Sequence, residues 1–216
     1  MSVQEKTENI LKQIGNTKLV SVTKTIDAER INESIRAGAT IIGENRVQEF
    51  EEKFDEILPC EKHLIGHLQT NKVKKAVQLF DVIQSVDSLK LIQEIDRKAM
   101  DIEKVQKVFL QVNIGNEPQK YGFGQDEIRQ IIPEISSLKN IQVTGLMCIP
   151  PFVTPDQVRP YFKQMKALFD EMKLENCSNI NIRELSMGMS NDYMAAIEEG
   201  ATMVRVGSAI FGSRKY

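Results

Sequence analysis

A rhythm constrains this chain more than any other feature. Short apolar runs alternate with charged segments of helical period, and the alternation repeats eight times. The runs are 19–23, 40–43, 63–66, 82–86, 108–112, 143–147, 182–186 and 203–206. The helix-period segments that follow them are 28–37, 47–58, 72–80, 89–100, 126–136, 155–174, 192–199 and a last short one, 209–216. Parallel strands cannot be joined by a tight turn and need a crossover, so a strand–helix alternation implies a parallel sheet. Eight such units predict a closed (β/α)8 barrel of the TIM type. The competing architecture, an open doubly wound sheet, usually carries a glycine-rich first turn. Here that turn is Thr23-Lys24-Thr25-Ile26-Asp27. An amphipathic helix over 2–14, stopped by Gly15, precedes the first unit as an extra element. No Pro- or Ser-rich linker divides the chain, which reads as a single domain over 1–216.

Composition excludes several classes. With 41% hydrophobic and 27% charged residues the chain has the balance of a globular protein. Its 28 basic and 30 acidic residues leave a net charge of -2, too little for a nucleic-acid-binding field. No apolar run reaches the roughly 18 residues of a membrane span, and the first residues lack a signal-peptide core. A cytoplasmic protein with neither nucleic-acid nor membrane partners is therefore expected. Cys60, Cys148 and Cys177 are odd in number and form no CxxC pair, which argues against a disulfide framework or a zinc knuckle. His63 and His67 lie four apart, but across a strand with a glycine, so no metal site is expected.

In a barrel of this kind the chemistry gathers at the C-terminal ends of the strands. Lys24 ends the first run with the parity of Val20 and Val22. Removal from water disfavours an ammonium, and a neutral lysine amine attacks carbonyls to form Schiff bases. The plainer alternative is a strand-end lysine whose head reaches solvent. Arg205 interrupts the eighth run and shares a face with Met203 and Gly207. A buried guanidinium needs an acceptor, either an internal acid or a bound ligand. Finally, Gly188-Met189-Ser190-Asn191-Asp192 and Gly207-Ser208 each precede a helix. Ser190 or Asn191 is expected to cap the first of these helices, and the two loops are also where barrels bind phosphate. A Schiff-base lysine, a buried arginine and a phosphate cradle would together hold pyridoxal phosphate.

Longer motifs point the same way. They are Val22-Thr23-Lys24-Thr25, Gly43-Glu44-Asn45-Arg46-Val47-Gln48-Glu49, His63-Leu64-Ile65-Gly66-His67-Leu68-Gln69-Thr70-Asn71-Lys72 and Gln111-Val112-Asn113-Ile114. Lys120-Tyr121-Gly122-Phe123, Gly145-Leu146-Met147, Leu185-Ser186-Met187-Gly188-Met189-Ser190 and Met203-Val204-Arg205-Val206-Gly207 continue the set. On these stretches, spread in order over nearly the whole chain, the sequence resembles the pyridoxal-phosphate homeostasis proteins, which are similar to the N-terminal barrel of alanine racemase. The resemblance implies roles. Lys24 matches the Schiff-base lysine and Arg205 the arginine on the pyridine nitrogen. Ser190, Gly207 and Ser208 match phosphate-binding positions, with Ser186 close by. Asn45, His67 and Met147 match residues lining the pocket. Glu44 and Gln69 follow the family pattern with no contact assigned, and Arg46 stands where an aromatic often sits.

An arginine stays a cation and donates to the ring nitrogen without protonating it, so the ring is a weak electron sink. Transamination and elimination are disfavoured, and racemisation needs an acid/base on both faces of the substrate carbon. In alanine racemase one of these comes from a second domain and a partner subunit. The sequence ends at Tyr216, so that domain and its dimer surface are expected to be absent, leaving a monomer with one face of the cofactor open. That favours a carrier that delivers pyridoxal phosphate, for example to apoenzymes, over an enzyme. Two alternatives are a weak racemase using His67 as the second base, and a cofactor-free aldolase-type barrel built on Lys24.

Overall fold

A computed structural model describes residues 1–175 and 177–212. Eight parallel strands close in sequence order into a barrel. They are β1 (Lys18–Val22), β2 (Ile41–Glu44), β3 (Glu61–Leu64), β4 (Val82–Val86), β5 (Gln106–Val112), β6 (Ile141–Cys148), β7 (Ile180–Ser186) and β8 (Met203–Val206). Helix α1 (Val3–Ile14) comes first. The crossovers carry α2 (Ala28–Arg36), α3 (Val47–Lys53), α4 (Val73–Leu79), α5 (Leu89–Met100), α6 (Gln125–Ser136), α7 (Pro155–Met172) and α8 (Tyr193–Glu198), and α9 (Ser208–Phe211) follows β8. The expected barrel and the extra N-terminal helix are both present.

The alternation of side chains along each strand sorts the apolar residues into two layers. Val20, Ile41, Val82, Phe109, Met147 and Met203 pack together inside the barrel. The outward faces, with residues such as Ile42, Leu64, Ile83 and Val204, pack against Ile31, Phe50, Ile92 and Phe162 of the helices. Helix α1 starts with a reciprocal cap: Ser2 Oγ accepts from the Glu5 amide at 3.1 Å, and Glu5 Oε2 accepts from the Ser2 amide at 2.8 Å. It then buries Val3, Thr7, Ile10 and Ile14.

Three expectations need correction. The helix read over 47–58 stops at Lys53 and tightens into a 3-10 turn at Phe54–Glu56. Helix α8 starts after Asp192, so neither Ser190 nor Asn191 caps it. The last helix covers only Ser208–Phe211, and 213–216 of the expected segment lie outside the described residues. Among the described residues no helix is long and apolar enough to cross a membrane.

Candidate functional site

The C-terminal mouth of the barrel opens into a cavity of about 530 Å³. Lys24, Asn45, Ser190, Arg205, Gly207 and Ser208 all line it, brought there from β1, β2, β7 and β8. The structure sets three other expected residues apart. Met147 belongs to the apolar packing of the barrel interior, and Ser186 lies buried behind Arg205. His67 lines a neighbouring hollow, where its Nδ1 is 2.8 Å from Asp87 Oδ2 and its ring stacks on Tyr121 at 3.6 Å. Sequence reading missed Lys120 and the apolar rim Ile149, Phe152 and Val153, which complete the cavity wall. These sit on the long loops after β5 and β6, where no strand parity marks an inward residue.

The turn that carries Lys24 is clamped from below. Lys53 Nζ donates to the carbonyls of Thr23 and Ile26, one on each side of Lys24, both at 3.1 Å. The same ammonium pairs with Glu44 Oε1 at 2.8 Å and with Glu49 at 3.4 Å. Glu44 also accepts from Thr23 Oγ1 at 2.6 Å, and Glu49 accepts from the Thr25 amide. Thr25 adopts φ +63°, a left-handed conformation uncommon for a β-branched residue, and the clamp holds it there. This gives Glu44, left without a contact by sequence reading, a physical role. Burial pushes its carboxyl above the usual carboxylate range, and Lys53 opposes the rise. Lys53→Met should cost about 3 kcal/mol, because it leaves Glu44 buried and unpaired. A raised folded-state carboxyl binds its proton more tightly in the folded than in the unfolded chain. Its contribution is therefore present at low pH and lost as pH rises through the folded value. Urea titrations at mildly acidic and neutral pH should show Lys53→Met losing more stability at the higher pH.

Arg205 comes up from inside β8 and is almost completely buried. Its Nη1 donates to the Ser186 carbonyl (2.9 Å) and hydroxyl (2.8 Å), and its Nη2 to the Cys148 carbonyl (2.8 Å). Among the described residues no carboxylate forms an ion pair with it, so the acceptors are neutral. Burial pulls the guanidinium below its ordinary value. A guanidinium has five N–H donors, so these three bonds leave donors over on a residue that lines the cavity. Cys148 next to it is no nucleophile, since burial pushes its thiol up to about 12.

Between β7 and α8 the backbone turns at Gly188, with φ +90°. A Cβ there would lie 2.5 Å from that of Ala196, so both the conformation and the close packing call for glycine. The turn places Ser190 Oγ 3.3 Å from the Gly207 amide and 3.4 Å from the Ala209 amide. Both amides donate to Ser190 Oγ, which ties Ser190 to the start of α9, and with the Ser190 and Ser208 hydroxyls they make a donor-rich patch in the cavity wall. At the end of β2, two strands round from β8, Asn45 Oδ1 is buried without a hydrogen-bond partner among the described residues. Gly66 lets this segment in, since a Cβ at Gly66 would sit 2.7 Å from Asn45 Cα.

Comparison with known proteins places the fold in a family. A family model described as alanine racemase, N-terminal domain, matches residues 2–215. The pyridoxal phosphate homeostasis protein of Aquifex aeolicus (strain VF5) is 43% identical over 202 residues, covering 92% of this chain and 88% of that protein. The chain belongs to this family. Among solved structures, the family member PipY of Synechococcus elongatus PCC7942 superposes with a TM-score of 0.92 without PLP, at 37% identity, covering 98% of this chain and all of PipY. The structure of PipY with PLP bound gives 0.88 at 35% identity over 98% and 100% of the two chains. The family's barrel also matches alanine racemase of Clostridium difficile 630 with a TM-score of 0.74. That match is 19% identical and covers 99% of this chain but 57% of the racemase, so the likeness is one of fold.

Proposed function

We propose that this protein binds pyridoxal 5′-phosphate on Lys24 in the cytoplasm and serves cofactor homeostasis by holding and releasing it. The observation that carries the reading is the convergence of Lys24, Asn45, Arg205 and the Ser190–Gly207–Ser208 patch on one cavity. The residues fit the group. The donor-rich patch suits a phosphate, Arg205 has donors to spare for a ring nitrogen, and the orphaned Asn45 Oδ1 offers an acceptor. Lys24, Lys120 and Arg205 outnumber Asp192 in the wall and favour an anionic ligand. When bound, the cofactor would supply an aldehyde, and Lys24 would be the amine that holds it, by a linkage that water or a second amine, including the lysine of an apoenzyme, could displace.

The chain's own residues set the limits of the chemistry. Arg205 is a cation that donates without giving up a proton, which leaves a bound ring a weak electron sink. His67 does not line the cavity, so no observation favours it as a second base. The test is a titration of the purified protein with pyridoxal phosphate and with pyridoxal, followed by absorption. Pyridoxal should bind about 100-fold more weakly, from losing two or so charge-assisted hydrogen bonds. Equal affinity for both would remove the phosphate patch from the account. No binding of either would return the barrel to an aldolase-type reading.

A further inference from the structure

A column of polar side chains runs down the inside of the barrel from Arg205. Arg205 Nη1 donates to Ser186 Oγ at 2.8 Å, and Ser186 Oγ donates to Gln84 Oε1 at 2.7 Å. Gln84 Nε2 lies 2.6 Å from His63 Nδ1, and His63 Nε2 is 3.3 Å from Glu61 Oε1. Ser186, Gln84 and His63 are buried, whereas Glu61 reaches the opposite mouth of the barrel. There a second cavity, of about 210 Å³, is lined by Glu61 and His63 and by Lys18, Lys107, Arg183 and Glu184. Around the column the interior is apolar, so each polar group in it is costly unless its partners are in place.

The order of donors and acceptors in the column is directional. Ser186 has one hydroxyl hydrogen and spends it on Gln84, which leaves its oxygen to accept from Arg205. Gln84 gives its oxygen to Ser186 and its NH2 to His63 and to Met203 Sδ, so in this arrangement His63 Nδ1 is the acceptor. We propose that Gln84 is a positioning residue for Arg205, and that protonation of His63 at the basal mouth is transmitted through it to the cofactor site. The inference rests on the cofactor reading above.

An imidazolium donates from both nitrogens. His63 Nδ1 then needs an acceptor, and Gln84 provides one only by turning its amide over. Its NH2 then faces Ser186, whose hydrogen loses its acceptor and has to turn elsewhere, and whose oxygen has to rotate to accept from both Gln84 and Arg205. The guanidinium is left less firmly held. Glu61 favours the imidazolium, and Lys18, Lys107 and Arg183 oppose it, while Glu184 is engaged with Lys18. His63 beside it holds the Glu61 carboxyl below its usual range, so the basal end of the column stays charged, while His63 Nε2 itself makes no well-formed hydrogen bond among the described residues. The ring of Phe109 meets His63 edge-on at 6.1 Å and closes its remaining side.

The test measures pyridoxal phosphate affinity and the position of the bound absorption band across the range where imidazoles titrate. Wild type is compared with His63→Asn, which keeps an acceptor near Nδ1 but does not titrate, and with Gln84→Leu and Gln84→Glu. On acidification wild type should lose about fivefold to tenfold more affinity than His63→Asn. Gln84→Leu should bind about tenfold more weakly at every pH, with a shifted band. Gln84→Glu accepts from both Ser186 and an imidazolium, so it should recover the affinity and lose the pH step. Superimposable pH profiles for wild type and His63→Asn, with an unshifted band in both Gln84 variants, would overturn the proposal and leave the column a structural one. Thermal melting of the cofactor-free proteins identifies a Gln84→Leu variant that fails to fold, and the other two variants then decide. A wild type that does not bind the cofactor would refute the reading beneath the proposal.

Discussion

Lys24→Ala is expected to bind pyridoxal phosphate without developing a Schiff-base absorption band, and borohydride should trap no cofactor on it. The expectation rests on where the side chain sits. Lys24 continues the inward face of Val20 and Val22 one step past the end of β1 and lines the cavity wall. Only partly buried, it is placed to act on a ligand more than to hold the fold. Its truncation should therefore change folding stability by no more than about 0.5 kcal/mol. Loss of the band with an unchanged urea midpoint separates a missing amine from a damaged barrel. If the variant kept a trappable band, Lys24 would be excluded as the site of linkage.

Arg205→Leu should have the second large effect, and unlike Lys24→Ala it should act on both folding and binding. The guanidinium is the donor for the Ser186 and Cys148 carbonyls and for the Ser186 hydroxyl. A leucine would leave these acceptors buried and unmet, at a cost of about 2–5 kcal/mol. Binding should weaken by a further factor of about 100, from the lost charge-assisted contact to the ring. Arg205→Lys keeps the charge but not the planar fork, and should recover only part of either loss. The measurements are urea unfolding of the cofactor-free proteins and cofactor titration by absorption. An Arg205→Leu variant as stable as wild type would mean that those acceptors are met by other donors.

Much of this site was legible in the sequence, because one physical rule governs the barrel strands. A charged residue at an inward position of a buried strand has to be explained, and Lys24 and Arg205 both broke the apolar pattern at such positions. The same parity test applied to the run 82–86 would have flagged Gln84, two residues from the inward Val82. Other features lay beyond one-dimensional reading. Lys53 reaches the carbonyls beside Lys24 from α3, a contact that depends on how the helix leans on the strand above it. Ser190 reads as a helix cap by spacing, but the left-handed turn at Gly188 carries it towards the start of α9. His67 carries a motif as specific as that of Asn45, yet Tyr121 and Asp87 hold its ring in the neighbouring hollow. Ranges of helices were off by a few residues where a 3-10 turn or a long loop replaced regular structure.

The most direct test of the account is to load the wild-type protein with pyridoxal phosphate, reduce it with borohydride and map the labelled peptide by mass spectrometry. Among the described residues two lysines, Lys24 and Lys120, line the cavity, and the map distinguishes them. The expected result is a single pyridoxyl-phosphate adduct on Lys24. An adduct on Lys120 instead, or no adduct from a protein that melts normally, would contradict it.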